Sequence, residues 1–133
     1  MAFVADNSVV LAWFVGSQAT PYTSKLRNRA RKELVHAPAV WPLEFINALW
    51  SLQKRGAIEA EAVNTIMDLA RRLGVVVDYQ PVELKAMLAL SRQFNLSAYD
   101  ASYLELARRL NLPLAVRDGP LKEAARRAGV ALA

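Results

Sequence analysis

Four acidic residues occupy positions from which carboxylates could act together: Asp6, Glu44, Asp100 and Asp118. Like charges gathered in one place repel, and they stay partly protonated unless a cation neutralises them. Because oxygen ligands select hard ions, such a group favours Mg²⁺ or Mn²⁺. Two such ions suit the hydrolysis of a phosphodiester, since one activates a water molecule and the other stabilises the leaving oxygen.

The composition leaves few other chemistries open. The chain has no cysteine, which excludes disulfides, thiolate metal sites and a cysteine nucleophile. His36 is the single histidine, so a site built from several histidines is excluded as well. Lys and Arg number 17 against 12 Asp and Glu, and the resulting net charge of +5 favours a polyanion such as nucleic acid, or an anionic membrane surface.

The length of 133 residues, with 54% hydrophobic residues, predicts a single globular domain over residues 1–133. The apolar stretch near the start, residues 9–16, is too short to span a bilayer. No basic residue precedes that stretch, as one would in a signal peptide. We therefore expect a cytoplasmic protein that does not interact with a membrane.

Short apolar segments beside turn residues alternate with helical patterns along the whole chain. The predicted strands are residues 3–5, 34–36, 75–77, 114–116 and 130–132. The predicted helices are residues 40–55, 59–73, 81–94, 98–110 and 119–128. This alternation predicts an α/β fold with a parallel sheet of about five short strands, covered by helices on both faces. In such sheets, ligands bind at the carboxyl ends of the strands.

Asp6 and Asp118 each follow a predicted strand, so both are expected at that edge of the sheet. Each also has a purely structural explanation, because Asp is a favourable N-cap residue at the start of a helix. Asp6 precedes an apolar helical segment, and Asp118 precedes Gly119 and Pro120, which suit a first helical turn. Both explanations stay open for Asp6, whereas Asp118 taken alone is better explained as a cap.

Asp100 lies on an unexpected side of its predicted helix. Ser97 and Asp100 have the spacing of a capping box. At about 100° per residue, however, Asp100 projects beside Leu104 and Ala107 rather than with the polar residues. The solvent face carries Ser102, Glu105 and Arg109. A carboxylate on a core-facing stripe needs a partner, because burying a bare charge is costly. A metal ion would serve, so this position favours a functional role.

Glu44 is ambiguous on the same test. It shares a helical stripe with Asn47, Ser51 and Arg55, which is typical of a solvated surface, yet it lies in the apolar run 40–46. A functional and a surface role are equally supported for this residue. Asp78 also follows an apolar run, but the turn after it predicts a surface residue without a function.

These acids stand in segments that together resemble the PIN-domain nucleases, most closely the VapC-type toxins of toxin–antitoxin pairs. The segments are VADNSV at 4–9, PLEFINAL at 42–49, LSAYDASYL at 96–104 and PLAVRD at 113–118, followed by LKEAA at 121–125. Each segment alone is weakly specific, whereas four in order at suitable spacing are strongly specific. The resemblance extends over the whole chain.

The resemblance implies a three-layer α/β/α PIN-like fold around a parallel sheet. It implies that Asp6, Glu44, Asp100 and Asp118 form a catalytic site that holds Mg²⁺ or Mn²⁺. It further implies a metal-dependent endoribonuclease that cleaves RNA, usually forms a homodimer and is inhibited by a cognate VapB-type antitoxin.

The chain departs from the family pattern near its last acid. The family commonly has a hydroxyl residue two positions before that acid, where this chain has Val116, and Arg117 directly before Asp118 is unusual. A ligand or hydrogen bond is therefore missing there, and Arg117 could pair with Asp118. Asp118 is accordingly the least secure metal ligand of the four.

Basic and aromatic residues allow two interpretations as well. Residues 25–32 contain five basic residues, which suit either a solvated helix or contacts with an RNA backbone. Trp13, Trp41 and Trp50 are expected in the core or in a dimer interface rather than as base-stacking platforms. His36, in a predicted strand, is expected to be structural.

The main alternative function is a non-catalytic PIN-like module that binds RNA or a partner protein, with the acids serving as helix caps. A phosphotransfer domain is disfavoured, because Asp6-Asn7-Ser8 offers no second acid and the chain has no glycine-rich phosphate loop.

Overall fold

A parallel sheet of four short strands forms the centre of the protein in a computed structural model that describes residues 1–133. The strands are β1 (Ala2–Ala5), β2 (Leu34–Pro38), β3 (Val76–Asp78) and β4 (Leu114–Ala115). Their order in the sheet is β3-β2-β1-β4, and every neighbouring pair is parallel. The strand β1 is wholly apolar and almost completely buried, as expected for a strand covered on both faces.

Seven helices cover this sheet on both sides and produce the three-layer α/β/α arrangement that the sequence predicts. They are α1 (Asn7–Phe14), α2 (Pro21–Arg29), α3 (Trp41–Lys54), α4 (Ala60–Leu73), α5 (Leu84–Phe94), α6 (Ala98–Leu110) and α7 (Pro120–Arg127). A single 3₁₀ turn, Gly16–Gln18, joins α1 to α2. None of the helices combines the length and the apolar character needed to cross a membrane.

The prediction of a fifth strand over residues 130–132 is wrong. Leu132 forms only a single bridge with Leu114. Two hydrogen bonds hold it, from Leu114 N to Ala131 O at 2.8 Å and from Ala133 N to Leu114 O at 2.9 Å. Because β4 itself has only two residues, it offers too little backbone for a longer ladder on this side.

The prediction that a helix begins at Pro81 is also wrong, since α5 begins at Leu84. The side chain of Glu83 accepts hydrogen bonds from the N–H groups of Lys85 at 3.4 Å and Ala86 at 2.6 Å. These bonds satisfy the free N–H groups of the first turn, so the N-cap determines where the helix starts. The other helix boundaries agree with the predicted ones to within about two residues.

The strand order determines where the winding of the sheet reverses. The chain proceeds from β1 outward through β2 to β3, and then returns to the opposite side of β1 to form β4. The direction of winding therefore reverses between β1 and β4, and ligands bind beyond the carboxyl ends of strands at such a point. The backbone N–H of Asp6 donates to Ala115 O at 2.9 Å, which fixes the exit of β1 beside the exit of β4.

Candidate active site

Asp6 directly follows β1 and is the N-cap of α1. Its Oδ2 atom accepts a hydrogen bond from the backbone N of Ser8 at 3.2 Å and another from the Ser8 hydroxyl. Burial raises the pKa of Asp6, and the bonds from Ser8 offset only part of that rise. Asp6 is therefore a helix cap, but one whose pKa is raised by burial, which does not happen to a cap at the surface.

Asp100 lies in the first turn of α6, and its side chain is half-buried. Ser97 caps the helix by accepting a hydrogen bond from Asp100 N at 3.1 Å, as the capping spacing predicts. Leu104 and Ala107, on the same stripe of the helix, are buried. Burial raises the pKa of Asp100, and the negative charge of Asp6 raises it further. The helical position predicted for Asp100 is thus confirmed.

Glu44 is held by a hydrogen bond from the core. The hydroxyl of Tyr103, a fully buried residue of α6, donates to Glu44 Oε1 at 2.6 Å. Burial raises the pKa of Glu44, and the negative charges of Asp6 and Asp100 raise it further. The hydrogen bond from Tyr103 lowers this pKa and offsets part of the rise. The three carboxylates are therefore close enough to repel one another.

The surface and functional explanations of Glu44 both stay open, because its side chain is half-buried. The buried residues of α3 are Trp41, Phe45, Leu49 and Leu52. Glu44 lies at the edge of that face, half-buried. The exposed large residues of the helix are instead apolar: Leu43, Ile46 and Trp50.

Asp118 differs from the other three acids in being exposed, with 93% of its side-chain surface accessible. Its Oδ1 atom pairs with Lys122 Nζ at 2.8 Å, and this bond lowers the pKa of Asp118. The explanation of Asp118 as a helix cap is wrong, since Gly119 is the N-cap of α7 and no side chain caps that helix. The expected pairing with Arg117 is wrong too, because Arg117 Nη1 donates to Gln18 O at 3.0 Å.

Three of the four predicted residues surround one cavity. Asp6, Asp100 and Asp118 line a space of about 380 Å³ beyond the ends of β1 and β4. Glu44 does not line this cavity, although its charge interacts with those of Asp6 and Asp100. No three acidic side chains lie close enough together to hold a metal ion as they are arranged here.

The chemistry of these side chains nevertheless fits a hard divalent cation. The carboxylates of Asp6, Glu44 and Asp100 form no ion pair with any lysine or arginine, and each has a raised pKa. Mutual repulsion without a counterion favours conformations that keep such groups apart. Oxygen donors with uncompensated negative charge are the ligands that Mg²⁺ and Mn²⁺ prefer.

Sequence reasoning did not identify the residues that orient these acids: Ser8, Tyr103 and Lys122. Each has a signal in the sequence. Ser8 stands two residues after an N-cap acid, and Tyr103 follows Asp100 by three residues, which places both on one face of α6. Lys122 follows Asp118 by four residues, in the first turn of the helix that begins after this acid. The sequence does not indicate that Tyr103 binds Glu44, because the two residues lie 59 positions apart.

The remaining predicted residues have structural surroundings. His36 lies half-buried in β2, and Trp13 and Trp41 are buried as expected. Trp50 is about half exposed, with Lys54 Nζ 5.3 Å from its ring. Asp78 ends β3, and its side chain is half-buried rather than at the surface as predicted.

Asp78 is not a plain turn residue, because Arg109 Nη2 pairs with it at 2.6 Å. The basic segment 25–32 begins on α2 and continues beyond the end of that helix. Its exposed basic residues are Lys25, Arg27, Arg31 and Lys32. The fifth, Arg29, pairs with Glu33 at 2.8 Å.

Comparison with known proteins identifies the family. The PIN domain model matches residues 3–127. A protein named ribonuclease VapC3 from Pyrobaculum aerophilum is 27% identical over 125 residues, which cover 92% of this chain and 94% of that protein. A ribonuclease VapC3 from Mycobacterium tuberculosis is 32% identical over 103 residues, covering 76% and 72% respectively.

A solved structure has the same fold. The crystal structure of PAE2754 from Pyrobaculum aerophilum superposes with a TM-score of 0.67 at 24% identity, covering 93% of this chain and 87% of that one. The chain therefore belongs to the PIN domain family and is distantly related to the VapC ribonuclease toxins.

Proposed function

We propose that this protein is a metal-dependent endoribonuclease, the toxin of a toxin–antitoxin pair, and that Asp6, Glu44, Asp100 and Asp118 hold Mg²⁺ or Mn²⁺. The observation that carries the proposal is the group of Asp6, Glu44 and Asp100. These three carboxylates are half-buried, have raised pKa values and form no ion pair with a basic residue. Such an arrangement is unfavourable for folding alone and favourable for binding a cation.

The surrounding residues would hold the ligands in place. Ser8 donates hydrogen bonds to Oδ2 of Asp6, and Tyr103 donates one to Oε1 of Glu44. The second carboxylate oxygen of Glu44 has no hydrogen bond within the protein. Asp100 accepts no hydrogen bond from the chain and projects from the rigid first turn of α6. When bound, Mg²⁺ or Mn²⁺ would supply Lewis-acid chemistry by polarising a phosphoryl oxygen of the substrate.

The reaction proposed is hydrolysis of an RNA phosphodiester. The oxygen of a water molecule forms a new bond to phosphorus, one P–O ester bond breaks, and the leaving ribose oxygen takes up a proton as water gives one up. The carboxylates would hold the cation and so fix its place relative to the substrate. Precise placement of this kind is a major source of rate enhancement.

The charge of the remaining surface supports a polyanionic substrate. Setting the four acids aside leaves 17 basic residues against 8 acidic ones, since 12 minus 4 is 8. Exposed Lys and Arg attract nucleic acid without sequence preference. The exposed residues of segment 25–32, Lys25, Arg27, Arg31 and Lys32, are part of this surplus.

The toxin role implies protein partners. The relationship to VapC ribonuclease toxins supports a cognate VapB-type antitoxin as inhibitor and a homodimer as the working assembly. Exposed Leu43, Ile46 and Trp50 on α3 are consistent with a surface that another protein covers.

Two substitutions test the catalytic site. We expect Asp6→Ala and Asp100→Ala each to abolish Mn²⁺-dependent cleavage of RNA while circular dichroism still shows a folded protein. Asp68→Ala is the matched control, because Asp68 is an exposed acid of α4 away from the cavity. Full activity in either site variant would contradict the assignment, as would equal loss in the control.

A non-catalytic PIN-like module that binds RNA or a protein is the second candidate. It is favoured by the ion pair that occupies Asp118 and by the separation of the acidic side chains. Calorimetric titration with Mn²⁺ distinguishes the two. Binding that disappears in Asp100→Ala supports the nuclease, whereas no binding to the wild type at millimolar metal supports the binding module.

A further inference from the structure

Arg117 is the one basic side chain that lines the cavity shared by Asp6, Asp100 and Asp118. It lies two residues beyond β4, and its half-buried side chain is tethered by the bond from Nη1 to Gln18 O at 3.0 Å. A guanidinium carries five N–H donors, so most of them remain available. No other hydrogen bond joins this side chain to the protein.

Arg117 forms no ion pair with the acids around it. Asp118, its neighbour in sequence, pairs with Lys122 instead, and the oxygen of Asp6 that bonds within the chain is used by Ser8. Arg117 thus stands in an acidic cavity without an ion pair. Parallel N–H groups of an unpaired guanidinium match two oxygens of a phosphate, which makes arginine an effective phosphate ligand.

A second feature adds positive potential to the same cavity. Leu121, in the first turn of α7, lines it, and no side chain caps this helix end; Pro120, which also lines it, has no backbone N–H. Free N–H groups at a helix N-terminus carry partial positive charge and favour anions. The cavity therefore combines carboxylates suited to a cation with two groups suited to an anion.

We propose that Arg117 binds a phosphate group of the RNA backbone, at or next to the phosphodiester that is cleaved. The proposal rests on the ribonuclease function proposed above and adds a substrate-binding residue to it. Arg117 would hold non-bridging phosphate oxygens in the cavity and stabilise the negative charge that grows on them during the reaction. The carbonyl of Gln18 positions the guanidinium for this contact.

Binding measurements separate this role from catalysis. Arg117→Gln and Arg117→Lys are compared in an Asp6→Asn background, since Asn retains the ability to cap α1 while weakening the metal site. The probe is fluorescently labelled single-stranded RNA of random sequence, and its affinity is measured across a range of salt concentrations. Arg92→Gln is the matched control, because Arg92 is exposed on α5 and does not line the cavity.

We expect Arg117→Gln to weaken RNA binding by about 10-fold. The slope of log affinity against log salt should fall by about 0.7, the value for one lost phosphate contact on a single strand. Arg117→Lys should retain the slope, because it keeps the charge, while losing part of the affinity. In the otherwise wild-type protein, Arg117→Gln should lower cleavage by about 10- to 100-fold.

An unchanged affinity and salt slope in Arg117→Gln would overturn the proposal, even if cleavage fell, since the residue would then act only through the Gln18 contact. An equal loss in Arg92→Gln would overturn it as well, because the effect would be one of net charge. If the wild type cleaves no RNA with Mg²⁺ or Mn²⁺ but Arg117→Gln still reduces the salt slope, the nuclease function fails and the phosphate contact stands.

Discussion

The hydrogen bond between Tyr103 and Glu44 connects the packed core to the candidate site, and its removal is a sharp test of the geometry. Tyr103 is fully buried, and its hydroxyl lies 2.6 Å from Glu44 Oε1. Tyr103→Phe removes the hydroxyl and keeps the ring, so the packing of the core is preserved. Burial and the contact with Glu44 raise the pKa of Tyr103, so the hydroxyl keeps its proton at neutral pH.

The expected effect follows from the type of bond and from its surroundings. Hydrogen bonds to charged groups contribute about 1.5–3 kcal/mol to stability. Glu44 is only half-buried, so water can replace part of the lost bond, and we expect the free energy of unfolding to fall by about 1.5 kcal/mol. For a domain of this size that corresponds to a Tm lower by roughly 5 °C.

Urea unfolding and differential scanning calorimetry measure this change. Tyr99→Phe is the matched control on the same helix, because Tyr99 is 62% exposed and should change the free energy by less than about 0.5 kcal/mol. A double-mutant cycle with Glu44→Gln should give a coupling free energy of about 1 kcal/mol or more. The reasoning is refuted if Tyr103→Phe loses no more than Tyr99→Phe, or if the coupling is zero.

Further expectations concern the charges of the site and the edge of the sheet. Asp100→Asn removes one of three charges that repel one another. Thermal melts should therefore show a higher Tm than the wild type without metal and no further rise with Mn²⁺. A lower Tm without metal would contradict the repulsion. Lys122→Met removes the ammonium group that pairs with Asp118 and would compete with a metal ion for it. Calorimetry should therefore show tighter Mn²⁺ binding, and weaker binding would argue against Asp118 as a ligand. Arg109→Met removes the ion pair with Asp78, so hydrogen exchange over residues 76–78 should accelerate; unchanged exchange would show that packing alone holds this strand.

The fold was largely predictable because its signals are local. Apolar segments of three residues beside turn residues mark the strands, and the strand β1 is almost completely buried. Errors occurred where a local signal was overridden by another. Pro81 suits a helix start, yet the side chain of Glu83 caps the helix that begins at Leu84. Residues 130–132 have strand character, yet β4 offers too little backbone to pair with them.

The site was predictable only in part, because some of its residues are positioned by their own helix and others by contacts with segments distant in sequence. The inward position of Asp100 follows from helical periodicity within α6 itself, and the structure agrees. The position of Glu44 depends on the hydrogen bond from Tyr103, a contact between segments distant in sequence that periodicity within α3 does not reveal. The isolation of Arg117 from Asp118 depends on Lys122 and Gln18, neither of which periodicity within a single element assigns.

Topology explains why acids from distant segments meet at one edge. Asp6 and Asp118 follow β1 and β4, which are neighbours in the sheet because the winding reverses between them. Asp100 joins them because Tyr103 and Leu104, in the next turn of α6, are fully buried in the core. The geometry of the site is therefore determined by apolar packing beneath it as much as by the carboxylates. A cavity-forming change such as Leu104→Ala, which should destabilise the protein by about 2–5 kcal/mol, would also move Asp100 relative to Asp6 without altering either residue.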